Sequence, residues 1–279
     1  MSAPRVKFSE ILAQLKLDAS LRLLLVEGLR DFAFVHRIVN VQECNSLLIY
    51  TSGNMEVEGC AEGGERGRAI KVANDFAVHG YSARVVAFVD ADEDHLLNIS
   101  YGDNVVFTDF RDLEAFGLEL KVVERIYLDA FARVGVDVES VVEKLIEDSL
   151  YIAAVRLYSK VDNLNLPVNA VVDKVRRCLD RDCCFDRARF LRAILSKKYG
   201  SISSFDECNS EIQQCQYFLK LFDPRRAVRG KDWVALLAQY LDQKEEMIEA
   251  LVFTSINYEF VIECDNISRL VSFMRTENK

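Results

Sequence analysis

Four carboxylates placed just after two apolar runs carry the chemistry in this sequence. Glu27 follows the run Leu21–Val26 (LRLLLV), and Asp90, Asp92 and Asp94 follow Arg84–Val89 (RVVAFV) in the stretch RVVAFVDADEDH. Acids at alternate positions repel one another unless something positive sits between them. A hard divalent cation held by oxygen ligands meets that need; the other reading is a solvated acidic loop after a strand. With Mg²⁺ or Mn²⁺ bound, such a cluster lowers the pKa of a bound water, orients a phosphodiester and neutralises charge on the leaving oxygen. Glu27 is also placed to act as general base or acid, since apolar Val26 and neighbouring carboxylates raise its pKa when no metal is present. Gly28 leaves room for a backbone or substrate to approach, and Asp31 follows four residues after Glu27. Asp109, Asp112 and Glu114 are further acids that stand alongside this set.

For these carboxylates to meet, the two runs must be neighbouring strands of a parallel sheet. Arg84–Val89 is short and Val-rich, and it follows the turn-like Gly80-Tyr81-Ser82, as expected of a buried strand. Leu21–Val26, Ser46–Tyr50 and Asn104–Phe107 read as further strands. Helical spacing over Phe8–Ser20, Asp31–Val39 and Arg68–Val78 alternates with them. Strands alternating with helices across Leu21–Phe116 predict an α/β fold with a mostly parallel sheet flanked by helices. Ligands of such sheets bind outside the carboxyl ends of the strands. The glycine-rich Glu58–Arg68 (EGCAEGGERGR) lacks both the GK[ST] ending of a phosphate loop and the GxGxxG order, so it is expected to be a flexible strand-to-helix loop. From about Lys121 the strand pattern stops. Val138–Lys160, Asn169–Asp180, Arg187–Lys198 and Asp232–Phe253 have helical periodicity, which predicts a C-terminal helical subdomain. The expected division is residues 1–120 as the catalytic domain and 121–279 as the helical subdomain with partner and nucleic-acid contacts.

The 279 residues suffice for one large domain or two ordinary ones, and with 50% hydrophobic residues and three prolines the composition is that of a folded, helix-rich chain. No apolar run reaches bilayer length, and MSAPRVKFSEIL lacks the apolar core of a signal peptide, so the expected location is the cytoplasm, with no membrane partner. The eight cysteines are scattered, with no CxxC pair, which argues against a zinc site. A net charge of −9 argues against a protein that coats nucleic acid, though not against a local basic surface.

Leu24-Leu25-Val26-Glu27-Gly28-x-x-Asp31 and Val89-Asp90-Ala91-Asp92 resemble the two motifs of the TOPRIM fold, which is shared by topoisomerases, primases, small ribonucleases and nucleases of the overcoming-lysogenisation-defect type. Thr108-Asp109-x-x-Asp112-Leu113-Glu114 and Arg229-Gly230-Lys231-Asp232 extend the resemblance to a TOPRIM-related family that includes AriB, the effector subunit of PARIS anti-phage defence systems. The resemblance covers Leu21 to about Leu241. It implies a Mg²⁺-dependent endonuclease, a toxin that an ABC-type ATPase partner holds inactive and that, once released, dimerises and cleaves host tRNA. It further implies that Glu27, Asp90 and Asp92 form the nuclease core and bind the metal, with Asp94 as a further ligand. Asp31 and the Asp109, Asp112 and Glu114 acids would support the metal, and Lys231 would contact phosphate. The run Asp90–His95 lacks the glycine that often closes the acidic motif of this family. A DNA-nicking nuclease using the same site and a degenerate TOPRIM serving as an interaction module are the alternatives.

Independently of that resemblance, Lys174–Lys198 contains nine Lys or Arg against three Asp, among them Arg187, Arg189 and Arg192. This local excess marks either a surface for backbone phosphates or a set of helix faces paired with acids elsewhere. Arg225, Arg226, Arg229 and Lys231 make a second basic cluster. Of the three histidines, only His95 lies near the acidic motif.

Overall fold

Four of the apolar runs form parallel strands of one sheet, and their neighbour order decides where the acids lie. The computed structural model describes residues 5–40, 44, 46–56, 64–94, 96–172, 175–178, 184–199 and 205–275. The chain begins with β1 (Val6–Lys7), α1 (Phe8–Leu17), β2 (Arg22–Val26), α2 (Leu29–Ile38), β3 (Leu47–Thr51) and β4 (Met55–Glu56). It continues with α3 (Gly64–Val78), β5 (Val85–Val89) and β6 (Val105–Phe107). The main sheet has the order β3-β2-β5-β6 with every neighbouring pair parallel, and β1 pairs with β4 in a second, two-stranded parallel sheet.

Both faces of the main sheet are covered, which explains why β2 and β5 are buried at every position and apolar at all but Arg22. Leu23 and Leu25 of β2 and Val85, Ala87 and Val89 of β5 share one face with Ile11 and Leu15 of α1 and Ala69, Ala73 and Phe76 of α3. Phe88 points the other way and stacks on Phe34 of α2 at 6.1 Å between centroids. That face also receives the end of the chain, α12 (Tyr258–Val261) and α13 (Asp265–Arg275). Tyr258 packs on Phe34, its hydroxyl accepts from Arg37 at 3.1 Å, and the buried Arg22 of β2 donates to the carbonyl of Phe273. Asp109, just after β6, accepts the Asn266 and Ile267 N–H groups at 2.9 and 3.0 Å and so caps the start of α13.

The chain therefore divides differently from the expected 1–120 and 121–279. One compact unit is Met1–Asp109 with Asn257–Lys279, and the other is Phe110–Ile256. The last helices belong with the sheet because Arg22, Phe34, Arg37 and Asp109 hold them there.

The second unit is helical: α4 (Leu120–Arg125), α5 (Val138–Val161), α6 (Asn169–Val172), α7 (Arg187–Tyr199), α8 (Phe205–Leu219), α9 (Pro224–Ala227), α10 (Gly230–Leu241) and α11 (Glu245–Ser255). Asp137 caps α5 through the Ser140 N–H, and the six residues Leu150–Val155 of that helix are all buried. The single helix expected over Asp232–Phe253 is two, because Asp242 takes a left-handed backbone (φ 54°) that ends α10. The helix expected over Asn169–Asp180 is likewise shorter, with α6 followed by a 3-10 turn at Val175–Cys178. No helix among the described residues is long and apolar enough to cross a membrane.

Candidate active site

β2 and β5 are neighbours, with Val26 opposite Phe88. From β2 the chain passes to β3 on one side and then crosses to β5 on the other. The strand order thus reverses between β2 and β5, the place where open α/β sheets bind ligands. Glu27 and Asp90 are the first residues beyond those two strands, and they meet: Glu27 Oε1 accepts the Asp90 N–H at 2.8 Å. Ser52, fully buried after β3, donates its hydroxyl to the Glu27 carbonyl at 3.1 Å, so three strand ends are tied together.

The turn after Glu27 leads directly into α2. Asp31 Oδ2 accepts the Gly28 N–H at 2.8 Å, which makes Asp31 a capping group at the start of that helix. Burial raises the Glu27 pKa to about 7. The Asp90 N–H works against that rise, the charges of Asp31 and Asp92 add to it, and Arg66 opposes it. Burial and like charge thus leave Glu27 only partly ionised at neutral pH, and a bound cation would offset both.

Beyond β5 the acidic loop folds around Arg66, in the first turn of α3. Its Nε donates to the Asp90 carbonyl at 2.9 Å and lies 3.5 Å from Asp92 Oδ2, while Nη2 is paired with Asp94. Burial works against the Arg66 charge, and the hydrogen bond and charge of Asp94, with Asp92, outweigh it and raise the pKa. The guanidinium also lies over the rings of Tyr101 and Phe107, 5.7 Å from each centroid. Asp92 takes a left-handed backbone (φ 49°), an uncommon conformation that Asp tolerates better than most residues.

The positive group between the alternate acids is therefore, at least for Asp94, an arginine of the chain itself. Sequence reasoning missed it because Gly64–Arg68 were expected to be loop, whereas they open α3. Glu65 is a second missed residue: its carboxylate lies beside Gly28 and Gly53, within 4 Å of where a Cβ on either glycine would sit. The signal available was the ER pair, ahead of a helical stripe.

The oxygen-only donors Glu27, Asp90 and Asp92 suit a hard divalent ion such as Mg²⁺. Among the described residues no three His, Cys, Asp or Glu side chains close into a ready-made metal cluster.

The other predicted residues have different surroundings. Asp109 caps α13 in the sheet unit. Asp112, Glu114, Lys231, Arg187, Arg189 and Arg192 belong to the helical unit. There Asp112 Oδ2 accepts the Gly230 N–H at 2.7 Å and Oδ1 accepts the Ala115 N–H at 3.0 Å, so the DLE and RGKD segments pack on one another. Burial, with the charge of Glu114, raises the Asp112 pKa to about 7. Asp232 holds Arg156 through two bonds of 2.7 Å, and Lys231 beside it is exposed. Arg187 pairs with Asp148 at 2.9 Å and Glu147 at 3.2 Å, whereas Arg189 and Arg192 are exposed on α7. His95, Lys174 and Arg181, and the side chains of Arg176, Arg177 and Lys198, lie outside the described residues.

No protein-family model and no curated protein matches this chain.

Proposed function

We propose that the edge formed by Glu27, Asp90 and Asp92 is the active centre of a metal-dependent nuclease of the TOPRIM type. The observation that carries this reading is the hydrogen bond from the Asp90 N–H to Glu27 Oε1, which joins two acids at the reversal of strand order in a parallel sheet. A bound Mg²⁺ or Mn²⁺ would supply charge to a phosphodiester and acidify a water molecule. The chain's own residues do the rest. Glu27 holds or accepts a proton at its carboxylate, and its Asp90 N–H bond fixes the direction in which it points. Arg66 neutralises Asp94 and Asp92, which allows an anionic backbone to approach an otherwise acidic edge.

The resemblance described above favours RNA, with tRNA as the substrate, and a toxic effector role in anti-phage defence. In that role the chain would be held by an ABC-type ATPase and act as a homodimer once released. The test is incubation of the purified protein with total RNA and, separately, supercoiled plasmid, each with Mg²⁺ and with chelator. Mg²⁺-dependent cleavage of tRNA is the expected result. Nicked plasmid with intact RNA would make the protein a DNA nuclease, and intact RNA and DNA would make the acidic edge an interaction module whose charge Arg66 already balances.

A further inference from the structure

A groove of about 430 Å³ runs along α3 from Arg66 to Asp75. It is lined by the stripe Gly67, Ile70, Lys71 and Asn74, residues spaced to share one helix face, and by Tyr101. Its size falls in the range of sites for small organic ligands. It is open along one side, which suits a ligand that is part of a longer chain.

The chemistry of the lining is mixed in a way that selects among ligands. Ile70 is apolar and nearly buried, Tyr101 offers a ring, and Asn74 has both donors and an acceptor on one amide. The Lys71–Asp75 pair, 2.7 Å apart, adds a donor and an acceptor one turn along. Arg66 stands at one end and bonds the carbonyl of Asp90, so the groove is continuous with the carboxylate edge. A flat heterocycle with hydrogen-bonding edges and an anionic tail matches this lining, and nucleic acids present such groups when their bases are unstacked.

We propose that this groove holds one unstacked nucleotide of the substrate, its base against Ile70 and beside Tyr101, its edge read by Asn74 and Asp75, and its phosphate at the Arg66 end of the groove. The inference rests on the nuclease reading of the adjoining edge and extends it to single-stranded or extruded nucleotides, with no demand for a duplex in the groove. A rigid duplex presents stacked bases and a phosphate exterior, which would leave Ile70 and the Asn74 amide without use.

The test avoids catalysis. The ¹⁵N-labelled full chain in chelator is titrated with AMP, GMP, CMP and UMP, and in parallel with inorganic phosphate. Amide shifts concentrated on residues 66–75 and at Tyr101 are expected for at least one nucleotide. Asn74→Ala, a change at a half-exposed helix position, is expected to weaken that binding about fivefold. Tyr101→Leu, which keeps apolar bulk and loses the ring, is expected to weaken all four. The proposal is overturned if the shifts fall elsewhere, if phosphate alone reproduces them at equal affinity, or if both variants titrate as the wild type does. Nucleotide binding on α3 by a protein that cleaves no nucleic acid would keep the groove and remove the nuclease reading; cleavage without such binding would do the reverse.

Discussion

Arg66 and Asp94 form an ion pair whose side chains are 19% and 9% exposed, from the first turn of α3 to the loop after β5. The pair shows that the acidic loop is built around a cation of the chain, and it separates Asp94 from the acids at the strand ends. Arg66→Ala leaves Asp94 buried beside Asp92 with no guanidinium between them. The expected loss of stability is about 3 kcal/mol, and Asp94→Asn in the same chain should recover part of it. Urea unfolding of the two single variants and the double variant measures the coupling; strictly additive losses would mean that the pair does not hold the loop.

Stability without metal should fall as pH rises through the acid-to-neutral range. Glu27 is raised from 4.5 to about 7, and Asp112 from 3.8 to about 7. For a carboxyl with a raised folded pKa, the folded state binds the proton more tightly than the unfolded chain does. Stability is therefore greatest below the unfolded pKa and declines until pH passes the folded one. Glu27→Gln, which imitates the protonated form, should remove on the order of 2–3 kcal/mol of that decline. Chelator-treated melts between pH 4.5 and 7.5 read this directly, and an unchanged slope in the variant would mean that Glu27 titrates as a solvated acid.

Gly230 sits where a side chain cannot, since a Cβ there would overlap the Asp112 carboxylate and Glu114 Cβ. Gly230→Ala should therefore destabilise the helical unit by about 1–3 kcal/mol through overpacking, and displace the carboxylate that caps α10. Equilibrium unfolding checks it. A variant as stable as the wild type would show that the DLE and RGKD segments are not packed on one another as described.

The three arginines of α7 should separate in behaviour. Arg187→Glu breaks its pair with buried Asp148 and should cost roughly 1–2 kcal/mol of stability, a figure reduced for the partial exposure of the guanidinium. Arg189→Glu and Arg192→Glu should leave stability nearly unchanged. If α7 meets nucleic acid, each should lower the salt slope of binding by about one. Salt-dependent binding of tRNA distinguishes a phosphate surface from a solvated helix face.

The sheet was legible because its strands are covered on both faces, so β2 and β5 contain no polar residue after Arg22. The meeting of Glu27 with the acidic motif was legible only as a condition, that the two strands be neighbours, and the parallel register of Val26 with Phe88 meets it. Arg66 was hidden because the glycine-rich stretch in front of α3 reads as loop, and only tertiary structure brings that turn to the end of β5. The capping of α13 by Asp109 joins residues 157 positions apart, which no local pattern encodes. The break at Asp242 was hidden for the opposite reason: Leu241 and Ile248 keep a helical seven-residue spacing across the polar stretch Asp242–Glu246, and only the backbone angle shows that the helix ends. The domain boundary moved for the same reason as α13, since contacts of Arg22 and Phe34 with the last residues are non-local.

The most direct measurement of the central claim is the rate at which wild type, Glu27→Ala and Asp92→Asn cleave tRNA at saturating Mg²⁺, with circular dichroism melts run beside it. Wild-type cleavage that chelator abolishes, and a fall of at least about 100-fold in both variants with the folded state retained, is the predicted result. Cleavage by Glu27→Ala at the wild-type rate would contradict the account, because the carboxylate that joins the two strand ends would then take no part in the chemistry.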